Sequence, residues 1–290
     1  MAASTTAEPM TGPLGSPLRR LAGVPAGVLL AGAVLTLIVL AAALPGLLAG
    51  GSPTAIHPAD ALRGPGAGRW FGTDELGRDQ FTRVVHGTRP SLLLGIGSTF
   101  VAIVGGAALG LLAGLGGRAA DELLMRVADV ALALPALLLA LLVITVTGTG
   151  TVNVMAAVGL AFVPGYARVV RAEALIVRRS GYAEAGVTLG LPRAALVWRH
   201  IMPNALAPLL TLATVGFGTS LISASTLSFL GLGPRPPSPE WGAMLSQSRT
   251  ELSTAWWMGL FPGVAVTLTV IVVTTVGRYL QRRFTRRGTP

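Results

Sequence analysis

Five stretches of this chain, Leu21 to Ala59, Ser91 to Gly117, Val130 to Ala167, Ile201 to Pro234 and Leu252 to Gly277, contain no Asp, Glu, Lys or Arg. A charge inside hydrocarbon is costly, and a helix needs about 20 apolar residues to cross a bilayer core about 30 Å thick. Each stretch is long enough to cross. The third is long enough to cross twice, and the turn formers Thr147-Gly148-Thr149-Gly150-Thr151-Val152-Asn153 divide it. Six spanning helices are therefore expected, over 24–48, 91–115, 127–147, 152–172, 205–229 and 256–277. The fourth carries Pro164, Gly165 and Arg168. The first follows Arg19-Arg20 but exceeds the usual apolar length of a cleaved leader, so it is read as a retained span.

Composition agrees: 52% of residues are apolar and 12% charged, against about a quarter charged in soluble domains. The net charge of +10 comes from 22 basic residues, all arginine, that flank apolar windows rather than forming a basic face with interleaved aromatics. That distribution argues against nucleic acid. Placing both termini in the cytoplasm puts 15 of the 22 arginines inside, including Arg118, Arg126, Arg171, Arg178, Arg179, Arg193, Arg199, Arg278 and Arg282. The seven outside are nearly balanced by Asp60, Asp74, Glu75, Asp79, Glu240 and Glu251. The positive-inside rule then gives a multi-pass inner-membrane protein with both ends cytoplasmic.

The chain divides into a disordered tail over 1–20, a first span with an extracytoplasmic loop over 21–90, a membrane domain over 91–278 and a basic tail over 279–290. From Trp70 to Ser91 the loop reads as an ordered interfacial segment, and Pro234-Arg235-Pro236-Pro237-Ser238-Pro239 as an extended polyproline strut. The cytoplasmic loop over 171–204 is amphipathic: helix, then Gly190-Leu191-Pro192, then helix again.

Several chemistries are excluded. The sequence has no lysine, so it contains no phosphate-binding Gly-Lys-Ser/Thr loop, and an ATPase would be a separate chain. It has no cysteine, so neither disulfides nor thiolate metal sites exist. His57, His86 and His200 stand far apart, and no metal or cofactor is expected. Asp129 and Arg168 fall near span ends, where they are expected to snorkel to the cytoplasmic interface. A membrane enzyme would need them to converge with the histidines. A secondary transporter would carry carboxylates or broken helices near mid-membrane, and neither is read here.

Tyr182-Ala183-Glu184-Ala185-Gly186, Gly190 four residues on, and His200-Ile201-Met202-Pro203-Asn204 after nine more residues resemble the EAA loop of ABC importer permeases. Gly186, His200 and Met202 depart from the commonest residues of that pattern. Further strings, Phe71-Gly72-Thr73-Asp74-Glu75-Leu76-Gly77-Arg78-Asp79, Ala133-Leu134-Pro135, Leu227-Ser228-Phe229-Leu230-Gly231 and Pro239-Glu240-Trp241-Gly242-Ala243-Met244, resemble the dipeptide, oligopeptide and nickel branch, its second permease subunit in particular. The resemblance implies an all-α membrane protein of the type-1, MetI-like fold. It further implies a homologous second permease, two cytoplasmic ABC ATPases that bind the ATP, and an extracytoplasmic binding protein. Within it, Tyr182, Ala183, Glu184, Ala185, Gly186, Gly190, His200, Pro203 and Asn204 form the ATPase-coupling segment. Asp74, Arg78, Asp79, Glu240 and Trp241 are candidates for an outer gate or a binding-protein contact. Peptide cargo is the first reading and nickel the alternative.

Overall fold

In a computed structural model the described residues are 25–285, so the expected tail over 1–20 and the last five residues lie outside them. Helix α1 (Ala26–Ala43) stops at Leu44 because Pro45 follows, and α2 (Pro45–Leu48) is a single further turn. The expected first span is therefore broken near its end. A loop with one 3-10 turn (Pro58–Asp60) leads to α3 (Gln80–Leu115).

Helix α3 starts eleven residues before its expected position at 91. Asp79 is its N-cap and accepts from the Thr82 amide at 2.9 Å, which satisfies one of the first-turn donors. Pro90 removes one backbone donor without ending the helix. The flanking turns are held from outside: Val84 O accepts from the Trp241 indole at 2.9 Å, and Ser91 Oγ accepts from the Trp241 amide at 3.0 Å.

The expected third span, 127–147, is not one helix. It forms α4 (Arg118–Leu132) and α5 (Ala136–Thr147), bent by 98° at Ala133-Leu134-Pro135. Pro135 has no N–H to continue α4, and it disfavours helical geometry at Leu134. The fourth span is a single helix despite Pro164, α6 (Thr151–Arg178). Then come α7 (Gly181–Thr188), α8 (Arg193–Leu196), a π-type turn (Val197–Ile201), α9 (Met202–Phe229), α10 (Trp241–Gln247), a 3-10 turn (Ser248–Thr250) and α11 (Trp257–Thr285). Among the described residues five helices are long and apolar enough to cross a membrane, six if α4 and α5 make one bent span. The proline run before α10 is no strut: it reverses direction, with the Ser238 amide donating to Arg235 O at 3.3 Å.

The core joins α3, α5, α6 and α9 through Leu94, Ile144, Val154, Val158, Ala224 and Leu227. Between α3 and α6 small residues set the spacing. A Cβ on Gly110 would stand 2.6 Å from Ala167 O, so the backbones could not approach as they do with any other residue there. Helix α1 is peripheral, with only Ala31 and Ala41 buried.

Candidate functional site

Two constructions stand at opposite ends of the bundle, a hook between α6 and α9 and a polar cap around the start of α3. In the hook, α7 ends in a Schellman motif. Gly190 takes φ +73°, and the Leu191 amide reaches back to Gly186 O at 3.1 Å. Pro192 then precedes α8, whose Leu196 amide donates to Pro192 O at 3.1 Å. Pro203 offers no N–H to the turn before it, and there the chain widens to the π-type turn. The Asn204 side-chain amide donates to His200 O at 2.7 Å across that turn.

The inner side of the hook is pinned where Leu196, Val197 and Ile201 pack with Leu115 at the end of α3 and Val177 at the end of α6. Gly186 is buried against this anchor: a Cβ there would lie 2.9 Å from Leu196 Cδ1 and 3.3 Å from Leu191 Cδ1. Both atoms are ends of flexible side chains. Gly186→Ala is therefore expected to leave tryptic cleavage of the loop unchanged, whereas Gly186→Phe should raise it several-fold by lifting α7 off Leu196. Other hook side chains are open to the outside, with Leu189 81% and Trp198 66% exposed and Arg178, Arg179 and Arg199 also exposed. Ala185, Pro203 and Asn204 are exposed as well. The side chains of Tyr182, Ala183 and Glu184 lie outside the described residues, so the structure places only their backbone, within α7.

At the cap, Asp74 is the hub. Its Oδ1 accepts from the amides of Leu76 at 3.0 Å and Arg78 at 2.9 Å, and its Oδ2 pairs with Arg78 Nε at 2.6 Å and Arg83 Nε at 3.4 Å. Arg83 also donates to Pro53 O and to Gln247 Oε1, both at 3.2 Å, and so ties the long loop to α10. Gln80 donates to Met258 O at 3.0 Å, and the Trp257 indole to Thr73 O at 2.9 Å. Glu240 caps α10, accepting from the amides of Gly242 and Ala243 at 2.8 Å and from Ser91 Oγ at 3.3 Å. Asp74, Arg78, Glu240 and Trp241 are buried within the chain, which removes their side chains from direct surface contact in this conformation; Asp79 is partly exposed and caps α3.

Burial pushes the Glu240 carboxyl above the ordinary value of 4.5, against the opposing pull of its backbone donors. The folded pKa thus exceeds the unfolded one, so protonation favours the fold. That contribution is fully present below 4.5 and is lost as pH rises through the folded value. Thermal unfolding of wild type and Glu240→Gln across that window is expected to move in the variant's favour as pH rises.

Asp129 and Arg168, expected near span ends, meet there as an exposed ion pair at 2.5 Å between α4 and α6. One turn along α6, Arg171 holds Asp121, with its Nη2 donating to Oδ2 at 2.6 Å. These contacts tie the amphipathic α4 to α6. The histidines do not join them: His86 sits over Thr82 O near the cap and His200 lies in the hook. Among the described residues no group of His, Cys, Asp and Glu could hold a metal ion. The sequence reading missed Gln80, Arg83, Ser91 and Trp257. Arg83 carried a usable signal, being an arginine just ahead of an apolar window with acids close by.

The same helical fold is found among solved chains of ABC transporters. The structure superposes on a solved chain of the MetNI methionine ABC transporter with a TM-score of 0.57 at 20% identity, covering 72% of this chain and 97% of that one. A chain of an amino acid ABC transporter gives 0.55 at 15% identity, covering 69% and 94%. The family model for the binding-protein-dependent transport system inner membrane component matches residues 106–288, and the chain belongs to that family. It is 40% identical over 244 residues to the dipeptide transport system permease protein DppC of Alkalihalophilus pseudofirmus, covering 84% of this chain and 80% of that one. It is 39% identical over 224 residues to the probable D,D-dipeptide transport system permease protein DdpC of Escherichia coli, covering 77% and 75%. The chain is thus a multi-pass permease subunit of an ABC importer, a class that works with ATPase partners.

Proposed function

We propose that this subunit forms half of the path for di- or oligopeptides, with both termini cytoplasmic, and that its 171–204 loop carries ATPase motion into the bundle. A homologous second permease completes the path, two ATPases dock on the hook, and an extracytoplasmic binding protein delivers cargo at the cap. The observation that carries the coupling role is the hook's combination of buried anchors and open apolar side chains: Val177, Leu196 and Ile201 fix it to α3 and α6, while Leu189 and Trp198 are free to enter a partner. Such a rigid link converts closure of the ATPases into movement of α6 and α9 together. Glu184 would pair with a cation of the ATPase. The clamp around Asp74, Arg78, Asp79, Glu240 and Trp241 would hold the surface where the binding protein sits rather than touch it. The names of the relatives support peptide cargo over nickel.

The chain has no cysteine, so Leu189→Cys gives a unique thiol for testing the topology. A membrane-impermeant maleimide is expected to label it only after cells are opened. Labelling in intact cells would place the hook outside and end the coupling assignment. Tagged protein should co-purify with two ATPases and a second permease, and cells lacking it should lose dipeptide uptake. Uptake that survives without the ATPases would remove the reading.

A further inference from the structure

Between the peripheral α1 and the pair α3 and α11, near the cap, lies a cavity of about 530 Å³ walled by Ile38, Ala41, Phe81, Val85, Ala265 and Leu268. We propose that this cavity is a lipid site that takes one acyl chain of a phospholipid. The proposal rests on the chain spanning a bilayer and on nothing concerning its cargo or coupling.

The chemistry of the wall selects hydrocarbon. Its inner polar side chains each donate their proton within the protein: Thr88 to Val84 O at 3.3 Å, Thr269 to Ala265 O at 2.7 Å, and the Trp241 indole to Val84 O at 2.9 Å. Polar ligands find little to bind there. The cap-end wall is a set of fixed aromatic faces, with Phe71 stacked on Phe261 at 3.8 Å and 4° and Phe81 edge-on to Phe71 at 5.1 Å. Trp70, 67% exposed, stands at the rim, where an interfacial indole meets headgroups.

Position selects the occupant. Helix α1 turns Leu30, Val39 and Leu40, none of which lines the cavity, outward at 69%, 54% and 37% exposed, so the bilayer lies on its far side. At that depth no water is available to fill an apolar space, and leaving it empty forfeits dispersion contacts on both walls. The volume falls within the range of ordinary ligand pockets, about 300–1,000 Å³. Since α1 buries only Ala31 and Ala41, a chain seated here would supply much of the contact that holds it to α3 and α11.

The test uses the full chain purified with its partner subunits, delipidated, then given palmitoyl-oleoyl phosphatidylglycerol and read by native mass spectrometry. Wild type is expected to retain one lipid per copy of this chain. Ala265→Trp, filling the cavity from α11, and Ala41→Phe, filling it from α1, should each lower that retention about tenfold, the equivalent of ~1.4 kcal/mol. Ile271→Trp, on the same helix but 56% exposed and outside the cavity, should leave it unchanged. The two filled variants approach from opposite walls, so either one that assembles decides the matter. Equal retention by wild type and a filled variant overturns the proposal. So does a photo-cross-link from p-benzoylphenylalanine at position 38 to the second permease, which would make that subunit the occupant.

Discussion

Gly190→Val is expected to abolish uptake while the protein still inserts and folds in the membrane. Nothing lies within 4 Å of a Cβ at this position, so the effect comes from the backbone alone. At φ +73° an ordinary side chain costs ~1–2 kcal/mol, and a β-branched one is worse still. The hook rests on one small apolar anchor, so a penalty of that size, where each ~1.4 kcal/mol is tenfold in population, re-routes the end of α7. ATPase recovered with the tagged chain should fall in parallel. Gly190→Asn, which tolerates the left-handed region, should keep most of both activities. If valine and asparagine behave alike, the Schellman turn is not what the partner reads.

Asp74→Asn is expected to have the largest effect on stability. Asp74 is 1% exposed, and it faces two guanidinium groups, Arg78 at 3% and Arg83 at 0%. Removing its charge leaves both without a carboxylate, since the other partners of Arg83 are the neutral Pro53 O and Gln247 Oε1. Losing one partner of a buried ion pair costs about 3–5 kcal/mol. Tryptophan-monitored thermal unfolding should show the cap melting early, with Trp241 and Trp257 reporting. Arg83→Met should cost less, because Asp74 keeps Arg78 and two backbone donors. A variant ordering with Arg83→Met the more harmful would mean that the tie to Gln247, rather than the charge balance, holds the cap.

The charge-free windows placed the spans well, since the penalty for a charge in hydrocarbon acts on each residue regardless of its neighbours. The hook was legible for a similar reason: Gly190, Pro192 and Pro203 impose backbone geometry within a few residues. The errors have a common origin. The start of α3 at Gln80 instead of 91 was hidden because Arg83 and Arg89 look like loop residues until Asp74 and Gln247 neutralise or bind the first of them. The proline run before α10 looked extended, yet it must turn to bring Glu240 beneath Ser91.

The amino-acid sequence alone determined that the chain crosses a membrane several times, where the crossings lie, and that a glycine-closed hook separates two of them, because solvation and backbone sterics are local. Pro135 breaks the third span locally, but tertiary structure decided the meeting of Asp129 with Arg168 and the closed cap. The Trp257 indole reaches Thr73 O across 184 positions and Arg83 reaches Gln247 across 164. Contacts so distant in the chain exist only once the helices have packed, and until then a buried charge and a solvated one are written with the same letters.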